Sequence, residues 1–334
     1  YGHDALDFSA NVSPLGLPQG VANAIAAALP HADRYPDPLC RALRAKLAPH
    51  EGIPAESILC GNGAADLIFR LAWAAKPRTA LVTAPTFAEY ASALEGAGCA
   101  VLRHFLQAEV DFAVTDSILS SITPEVDMVF LCQPNNPTGQ LTPLPLVERI
   151  LRRCEACGAL LVVDECFLDF LPDCDALTAK ALLDSKNLLI LKAFTKLYGM
   201  AGVRLGYCLC TNTALLEAMQ AAGQPWAVSS LAQAAGLAAL DETAYVAQVR
   251  ALIAQQRPRL TAGLRALGLR VLDGRANYLL FQGPETLGDA LRQRSVVLRS
   301  CSNYPGLDGS WYRTAVRTGP ENDELLKTLA EVLA

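Results

Sequence analysis

From Ala64 to Ala222 short apolar runs alternate with helical patterns, and this alternation constrains the fold more than any other feature of the sequence. Strands are expected at Thr79–Thr83, Ala100–His104, Met128–Cys132, Leu160–Asp164, Leu188–Leu191 and Arg204–Leu209. Helices are expected between them at Ala64–Ala75, Ala88–Gly96, Leu144–Cys157 and Asn212–Ala222. Strands that are apolar along their whole length need cover on both faces, so the arrangement implies an α/β layer with a buried, mostly parallel sheet. After Pro225 the texture changes. A long helical stretch from Glu242 to Leu267 precedes strand-like Arg270–Leu272 and Tyr278–Phe281, then a helix, a strand and a C-terminal helix. We expect two lobes with a cleft between them: a large domain over 34–222 and a smaller α+β domain made of 1–33 and 223–334. The N-terminal segment, a turn (SPLGLP) and one amphipathic helix, is expected to pack on the C-terminal lobe.

Composition narrows the partners. The chain has 28 Lys and Arg against 33 Asp and Glu, a net charge of −5 with no basic block, so a nucleic acid is not an expected partner. The uncharged stretch Ala218–Leu240 is broken by Gln220, Gln224, Pro225, Ser229, Ser230 and Gln233, whereas a membrane helix needs about 20 mostly apolar residues. No membrane partner is expected. The opening YGHDALDFSAN has no apolar core behind a basic start, so no secretory leader is expected, and His3 is expected to begin a frayed terminus. Eleven cysteines, an odd number in apolar surroundings such as MVFLC and GYCLC, read as small buried hydrophobes of a reducing cytoplasm. The Cys154–Cys157 pair lies in a helical pattern with no second pair near it, and the four histidines have no ligand spacing, so no metal is expected.

Four segments carry chemistry. In LKAFTKLYGMAGVRLGY, Lys196 follows a strand-like run in a mixed Thr, Tyr, Gly and Met context, with Arg204 eight residues on. A lysine so held is nucleophilic toward a carbonyl if its pKa is lowered; a solvated lysine is the plainer alternative. In ALLVVDECFLDF, Asp164 ends an apolar strand, at the sheet edge where α/β proteins place ligands. A buried carboxylate there wants a cation, unless it only caps the next helix. CGNGAADL is a glycine turn into a helix that offers N–H groups to an anion, or merely starts a helix. It is neither a dinucleotide fingerprint nor a P-loop. QPNNPTG is a rigid polar loop at the same sheet edge.

Taken together and in this order, PNNPTG, the aspartate of VVDE and FTKLYGMAGVRLGY resemble the pyridoxal-phosphate enzymes of the aspartate-aminotransferase fold, fold type I, over nearly the whole chain. The resemblance implies pyridoxal 5'-phosphate as cofactor. It implies Lys196 as its Schiff-base lysine, Asp164 against the pyridinium nitrogen, Asn136 on the phenolic oxygen and Phe87 on the ring face. The cofactor phosphate would be held around Gly63, Ala64 and Ala65, by Thr195 and by Arg204. Tyr35 of RYPDP would reach the cofactor phosphate of a neighbouring subunit, which implies a homodimer. One departure stands out: many relatives have tyrosine three residues after the aspartate, and here that residue is Phe167.

Within the fold, LDFSANVSPLGLP, QPWAVSSLA, GRANYLL and RSCSNYPGLDGSWYRTAVR are most similar to the threonine-phosphate decarboxylase family of cobalamin biosynthesis. The histidinol-phosphate aminotransferases are the alternative. The resemblance makes Asn11, Asn136, Arg299 and Arg313 substrate-binding. Two guanidiniums converging on one pocket suit a dianionic substrate, against the plainer reading of arginines on a solvated strand edge. The implied enzyme is a carboxy-lyase acting on a small phosphorylated amino acid. A fold that has lost catalysis and serves as a ligand sensor is the remaining reading, and Lys196, Asp164, Asn136 and Arg204 speak against it.

Overall fold

The computed structural model describes residues 5–334, so His3 lies outside the described residues. Its strands are β1 (Leu6–Asp7), β2 (Ile58–Gly61), β3 (Thr79–Ala84), β4 (Ala100–Phe105), β5 (Met128–Cys132), β6 (Leu160–Asp164), β7 (Leu188–Ala193) and β8 (Gly206–Leu209), followed by β9 (Arg270–Val271), β10 (Tyr278–Gln282), β11 (Val296–Val297), β12 (Arg299–Ser300) and β13 (Trp311–Ala315). Seven of them form one sheet in the order β2-β8-β7-β6-β5-β3-β4. Strands β4, β3, β5, β6 and β7 pair in parallel, and β8 runs antiparallel to both β7 and β2.

The apolar runs are explained by two cores. Val129, Leu131, Leu161, Val163 and Ile190 face one core, while Met128, Phe130, Val162, Leu189 and Leu191 face the other. Helices Gly63–Ala75 and Thr213–Ala222 cover the second face, and Leu144–Cys157 covers the first. Edge strand β4 is the exception: Leu102 and Phe105 are exposed. Ten of the eleven cysteines are buried and Cys157 is half-buried.

A four-stranded antiparallel sheet, β12-β13-β10-β9, with helices Thr243–Ala266 and Gly319–Leu333, makes the smaller unit around Phe281, Val271, Leu260 and Leu325. The N-terminal segment does pack on the C-terminal part of the chain. Strand β1 pairs with β11, and Ala315 N–H donates to Phe8 O at 2.8 Å. Helix Gln19–Ala28 lies against helix Ser230–Ala239, but Val21, Ala232, Ala235 and Ala239 all sit in the core of the large sheet. The division at 33/34 and 222/223 remains a proposal, and these contacts favour a second crossing beyond Leu240. One strand expectation is corrected: Arg204 stands outside β8 with a left-handed φ of 63°. Ile58–Gly61 is a further strand, with no counterpart among the expected ones.

One buried charge cluster ties the layers together behind the sheet. Lys192 Nζ lies 2.8 Å from Asp169 Oδ1 and 3.9 Å from Glu165 Oε2, and Lys180 Nζ lies 2.9 Å from Glu51 Oε2. The Tyr207 hydroxyl donates to Glu51 Oε1. Burial pushes the Glu51 carboxyl up, but the charges of Lys192 and Lys180 and the Tyr207 hydrogen bond outweigh it and hold Glu51 below its ordinary 4.5. The unfolded chain therefore takes up a proton near pH 4.5 that the folded chain refuses until a lower pH, so this stability is complete above 4.5 and is lost as the pH falls. Glu51→Gln should cost about 1.5–3 kcal/mol at neutral pH, the worth of hydrogen bonds to a charged group. Urea unfolding of both proteins should show the difference shrinking as the pH drops below 4.5.

Candidate active site

Strands β3, β5, β6 and β7 run the same way, so their C-terminal ends share one edge of the sheet. Strand β8 begins at that edge because it reverses direction, and β2 ends there at Gly61, in register with Gly206. The loops that leave this edge close one cavity lined by Ala64, Ala65, Phe87, Cys132, Asn136, Asp164, Cys166, Phe167, Ala193, Thr195, Lys196 and Arg204. Eight of the residues singled out in the sequence thus meet in one place. Gly63 lies beneath Arg204 at its margin. Tyr35 does not belong to it: the side chain is 81% exposed and packs on Trp226, with ring centroids 4.6 Å apart.

Each wall has a local cause. Helix Gly63–Ala75 starts at the glycine turn, and first-turn amides have no acceptor within their own helix. Asp66 Oδ2 accepts the Asn62 N–H at 2.8 Å and is paired with Arg70, which fixes the turn. Gly63 has φ +77°, and a Cβ there would stand 2.6 Å from Arg204 Nη2, so only glycine lets the guanidinium cross the helix start. A guanidinium over free amides is an anion cradle. The two loops after β3 and β5 are clamped together: Asn135 Nδ2 donates to Pro85 O at 3.0 Å, Thr86 Oγ1 donates to Asn135 Oδ1 at 2.8 Å, and the Tyr278 hydroxyl donates to Asn135 O at 3.0 Å. That clamp sets Phe87 and Asn136 beside one another in the cavity wall.

Asp164 ends β6 with both oxygens engaged. Oδ1 accepts the Cys166 N–H at 3.0 Å, a turn bond and not a helix cap, since the next helical turn, Leu168–Phe170, is entered from Phe167; Oδ2 accepts the Tyr90 hydroxyl at 2.5 Å. Tyr90 was missed. It stands three residues after Phe87 in PTFAEY, but the helix begins only at Glu89, so helical spacing gives no signal for it. Cys132 and Cys166 were missed as wall residues although Cys132 is the register partner of Asp164. Burial, then the Asp164 charge, pushes both thiols up, so they stay protonated and inert.

Lys196 follows β7 in the short helix Phe194–Leu197, and its backbone carbonyl accepts the Ser13 N–H at 2.9 Å. Burial pushes its ammonium down. Cys166 and Asp164 oppose that, and the charges of Arg313 and Arg204 reinforce it, leaving Lys196 below the ordinary lysine value. The neutral, nucleophilic amine is correspondingly easier to reach. Its Nζ lies 5.6 Å from the centre of the Phe167 ring.

A second cavity opens from the first across Phe87, Asn136, Phe167 and Lys196, and its far side carries Asn11, Arg299 and Arg313. Arg313 is 7% exposed and held from two sides: Nη1 donates to Asn136 Oδ1 at 2.6 Å and Nη2 donates to Ser9 O at 2.7 Å, while the Asn11 amide faces Nε, whose N–H it accepts with its oxygen turned inward. With Asn136 Oδ1 taken by Arg313, the Asn136 amide has N–H left to donate. Arg299 donates to Ser300 O at 2.8 Å and Asn303 Oδ1 at 2.9 Å. Arg299 and Arg313 are direct cross-strand partners of β12 and β13. Like charges placed opposite one another repel, so this pair calls for an anion between them.

Comparison with known proteins bears on this geometry. Residues 3–330 match the family described as aminotransferase class I and II. The threonine-phosphate decarboxylase of Salmonella typhimurium is 40% identical, over 98% of this chain and 91% of that protein. The histidinol-phosphate aminotransferase of Desulfitobacterium hafniense is 34% identical, over 99% of this chain and 92% of that protein. The solved histidinol-phosphate aminotransferase of Sinorhizobium meliloti, in complex with pyridoxal-5'-phosphate, superposes with a TM-score of 0.86 at 26% identity, covering 98% of this chain and 90% of that one.

The residues present fit pyridoxal phosphate: an anion cradle that a Cβ at Gly63 would fill, a carboxylate at one wall and a lysine of lowered pKa beside it. Gly63→Ala should displace Arg204 and weaken pyridoxal phosphate binding about tenfold or more, as loss of a charged hydrogen-bonding partner does. Titration of the bound-cofactor absorbance checks this, with Gly52→Ala, another left-handed glycine but one in open space, as the control.

Proposed function

The chain belongs to the class I and II aminotransferase family and is a pyridoxal phosphate enzyme, and from that premise we propose that it decarboxylates L-threonine O-3-phosphate to (R)-1-aminopropan-2-yl phosphate, in cobalamin biosynthesis. The observation that carries the reading is the Arg299–Arg313 pair, set opposite one another across two strands and facing the cavity that Lys196 shares. Similarity to the Salmonella typhimurium decarboxylase supports it.

Bound pyridoxal phosphate supplies an electron sink for whichever bond at the substrate Cα is held perpendicular to its ring. Lys196 would carry the cofactor, Asp164 would face the ring nitrogen, and Asn136 would donate to the phenolic oxygen, with no tyrosine to share that task because residue 167 is Phe167. Phe87 would lie on the ring. Ala64, Ala65, Thr195 and Arg204 would hold the phosphate at the start of helix Gly63–Ala75.

The two arginines choose the bond by choosing the anion. An arginine clamped on the α-carboxylate in the ring plane would stabilise the ground state against loss of CO2. With Arg299 and Arg313 both on the substrate phosphate, and Asn11 beside them, the carboxylate is left outside their grip. Departing as CO2, it would leave the bonding electron pair at Cα, and Lys196, after taking up the proton that the substrate's ammonium gives up on binding, would deliver one proton there from the same cavity. Arginine forks rather than lysines suit this task, because a phosphate dianion is gripped bidentately. A homodimer is part of the reading. The exposed Tyr35, tilted against Trp226, supports a second copy receiving that ring. No helix of the described residues is long and apolar enough to cross a membrane.

Histidinol phosphate has no carboxylate, so an arginine pair on phosphate would serve an aminotransferase equally well. The reaction must therefore be measured. With L-threonine phosphate alone and no keto-acid acceptor, the holoenzyme should release CO2 over many turnovers, and Lys196→Ala should release none. Arg299→Lys and Arg313→Lys should each raise the KM for threonine phosphate about tenfold or more. Amino transfer from histidinol phosphate without CO2 release would make the protein an aminotransferase instead.

A further inference from the structure

Asp164 is assigned above to the ring nitrogen, yet nothing in that assignment says what holds its carboxylate in place or keeps it from turning. The structure supplies the missing part. Tyr90 is fully buried, its ring lies 4.8 Å from Phe130 in a near-parallel stack of 19°, and it meets Phe87 edge-on at 5.5 Å and 82°. Rings on two sides thus fix its direction, and its hydroxyl donates to Asp164 Oδ2 at 2.5 Å.

An ionised carboxylate offers about four lone-pair sites on its two oxygens. One on Oδ1 takes the Cys166 N–H and one on Oδ2 takes the Tyr90 hydroxyl, and those two bonds fix the carboxylate plane. Phe87 and Tyr90 lie three residues apart on one turn, so a single ring braces the residue assigned to the cofactor face and the residue assigned to its nitrogen. Burial, then the Asp164 charge, pushes the Tyr90 phenol well up, so it remains a donor.

We infer that Tyr90 is a positioning residue: through one hydrogen bond to Asp164 it holds that carboxylate aimed at the cofactor ring, and through its own ring it seats Phe87. This rests on the assignment of Asp164 and not on whether the reaction is decarboxylation.

Three holoenzymes test it: Tyr90→Phe, Asp164→Asn and the double variant. Each is dialysed and then titrated with pyridoxal phosphate, following the bound-cofactor absorbance, with thermal unfolding in parallel. Tyr90→Phe keeps both ring contacts and loses only the hydroxyl. It should raise the Kd for pyridoxal phosphate about tenfold or more and lower kcat, leaving the substrate KM within about twofold. In the Asp164→Asn background the same substitution should add nothing, because the acceptor it acts through is already changed. An unchanged Kd in Tyr90→Phe, or losses that multiply in the double variant, would overturn the inference. An unchanged Kd in Asp164→Asn would overturn the Asp164 assignment first and the inference with it.

Discussion

Lys192 sits near the C-terminal end of the last parallel strand, almost fully buried, and its pairing with Asp169 is the interaction on which the geometry of the site depends. A buried ammonium without a partner would cost several kcal/mol, so the chain after β6 has to return and present a carboxylate to β7. Doing so joins the end of β6, which carries Asp164, to the end of β7, which leads into Lys196. Glu165 N–H donates to Leu191 O at 2.9 Å, and Glu165 in turn accepts from Thr178 and the Ala179 amide at 2.7 Å. Asp164 and its neighbour therefore have different duties set by strand alternation. One carboxylate turns to the cavity and the other anchors the strand behind it.

The charge arrangement explains how an acidic chain can receive anions. Lys196, Arg204, Arg299 and Arg313 line the two joined cavities, answered by Asp164 and, at the rim, by Glu89. The local excess is positive although the whole chain carries −5. Low-dielectric walls concentrate such a field, which favours ligands with phosphate groups. The excess also accounts for part of the lowered Lys196 ammonium, since Arg313 and Arg204 both act on it after burial has. Binding an anion at either arginine would relieve that repulsion.

Much of this is legible in the sequence. MVFLC and LLVVD were placed residue for residue as β5 and β6, and LPLVERILRRCEAC as a helix, because apolar runs and the 3.6-residue period are local signals. Helix Gln19–Ala28 was legible as an element but not as a neighbour. Amphipathicity gives a helix a face to bury and leaves open which core receives it. The start of β8 was misplaced because Arg204 takes a left-handed φ that its sequence neighbours do not announce. Tyr90 escaped for a different reason: its partner lies 74 residues away, and only the register of β3, β5 and β6 brings the two together.

The same register bears on why one scaffold can serve two reactions. On the proposed reading the arginine pair grips phosphate, which threonine phosphate and histidinol phosphate share, so discrimination would come from what surrounds the rest of the substrate. Loss of CO2 turns a charged carboxylate into a neutral molecule, and it is helped by surroundings that solvate the carboxylate poorly. Phe87, Phe167 and Tyr304 line the shared cavity between Lys196 and the arginines. Phe167, edge-on to Tyr278 at 5.1 Å, puts an apolar ring where many relatives of the fold have a hydroxyl. On the decarboxylase reading Phe167 adds an apolar wall to that cavity, and it would leave Asn136, its Oδ1 held by Arg313, as the donor to the cofactor's phenolic oxygen.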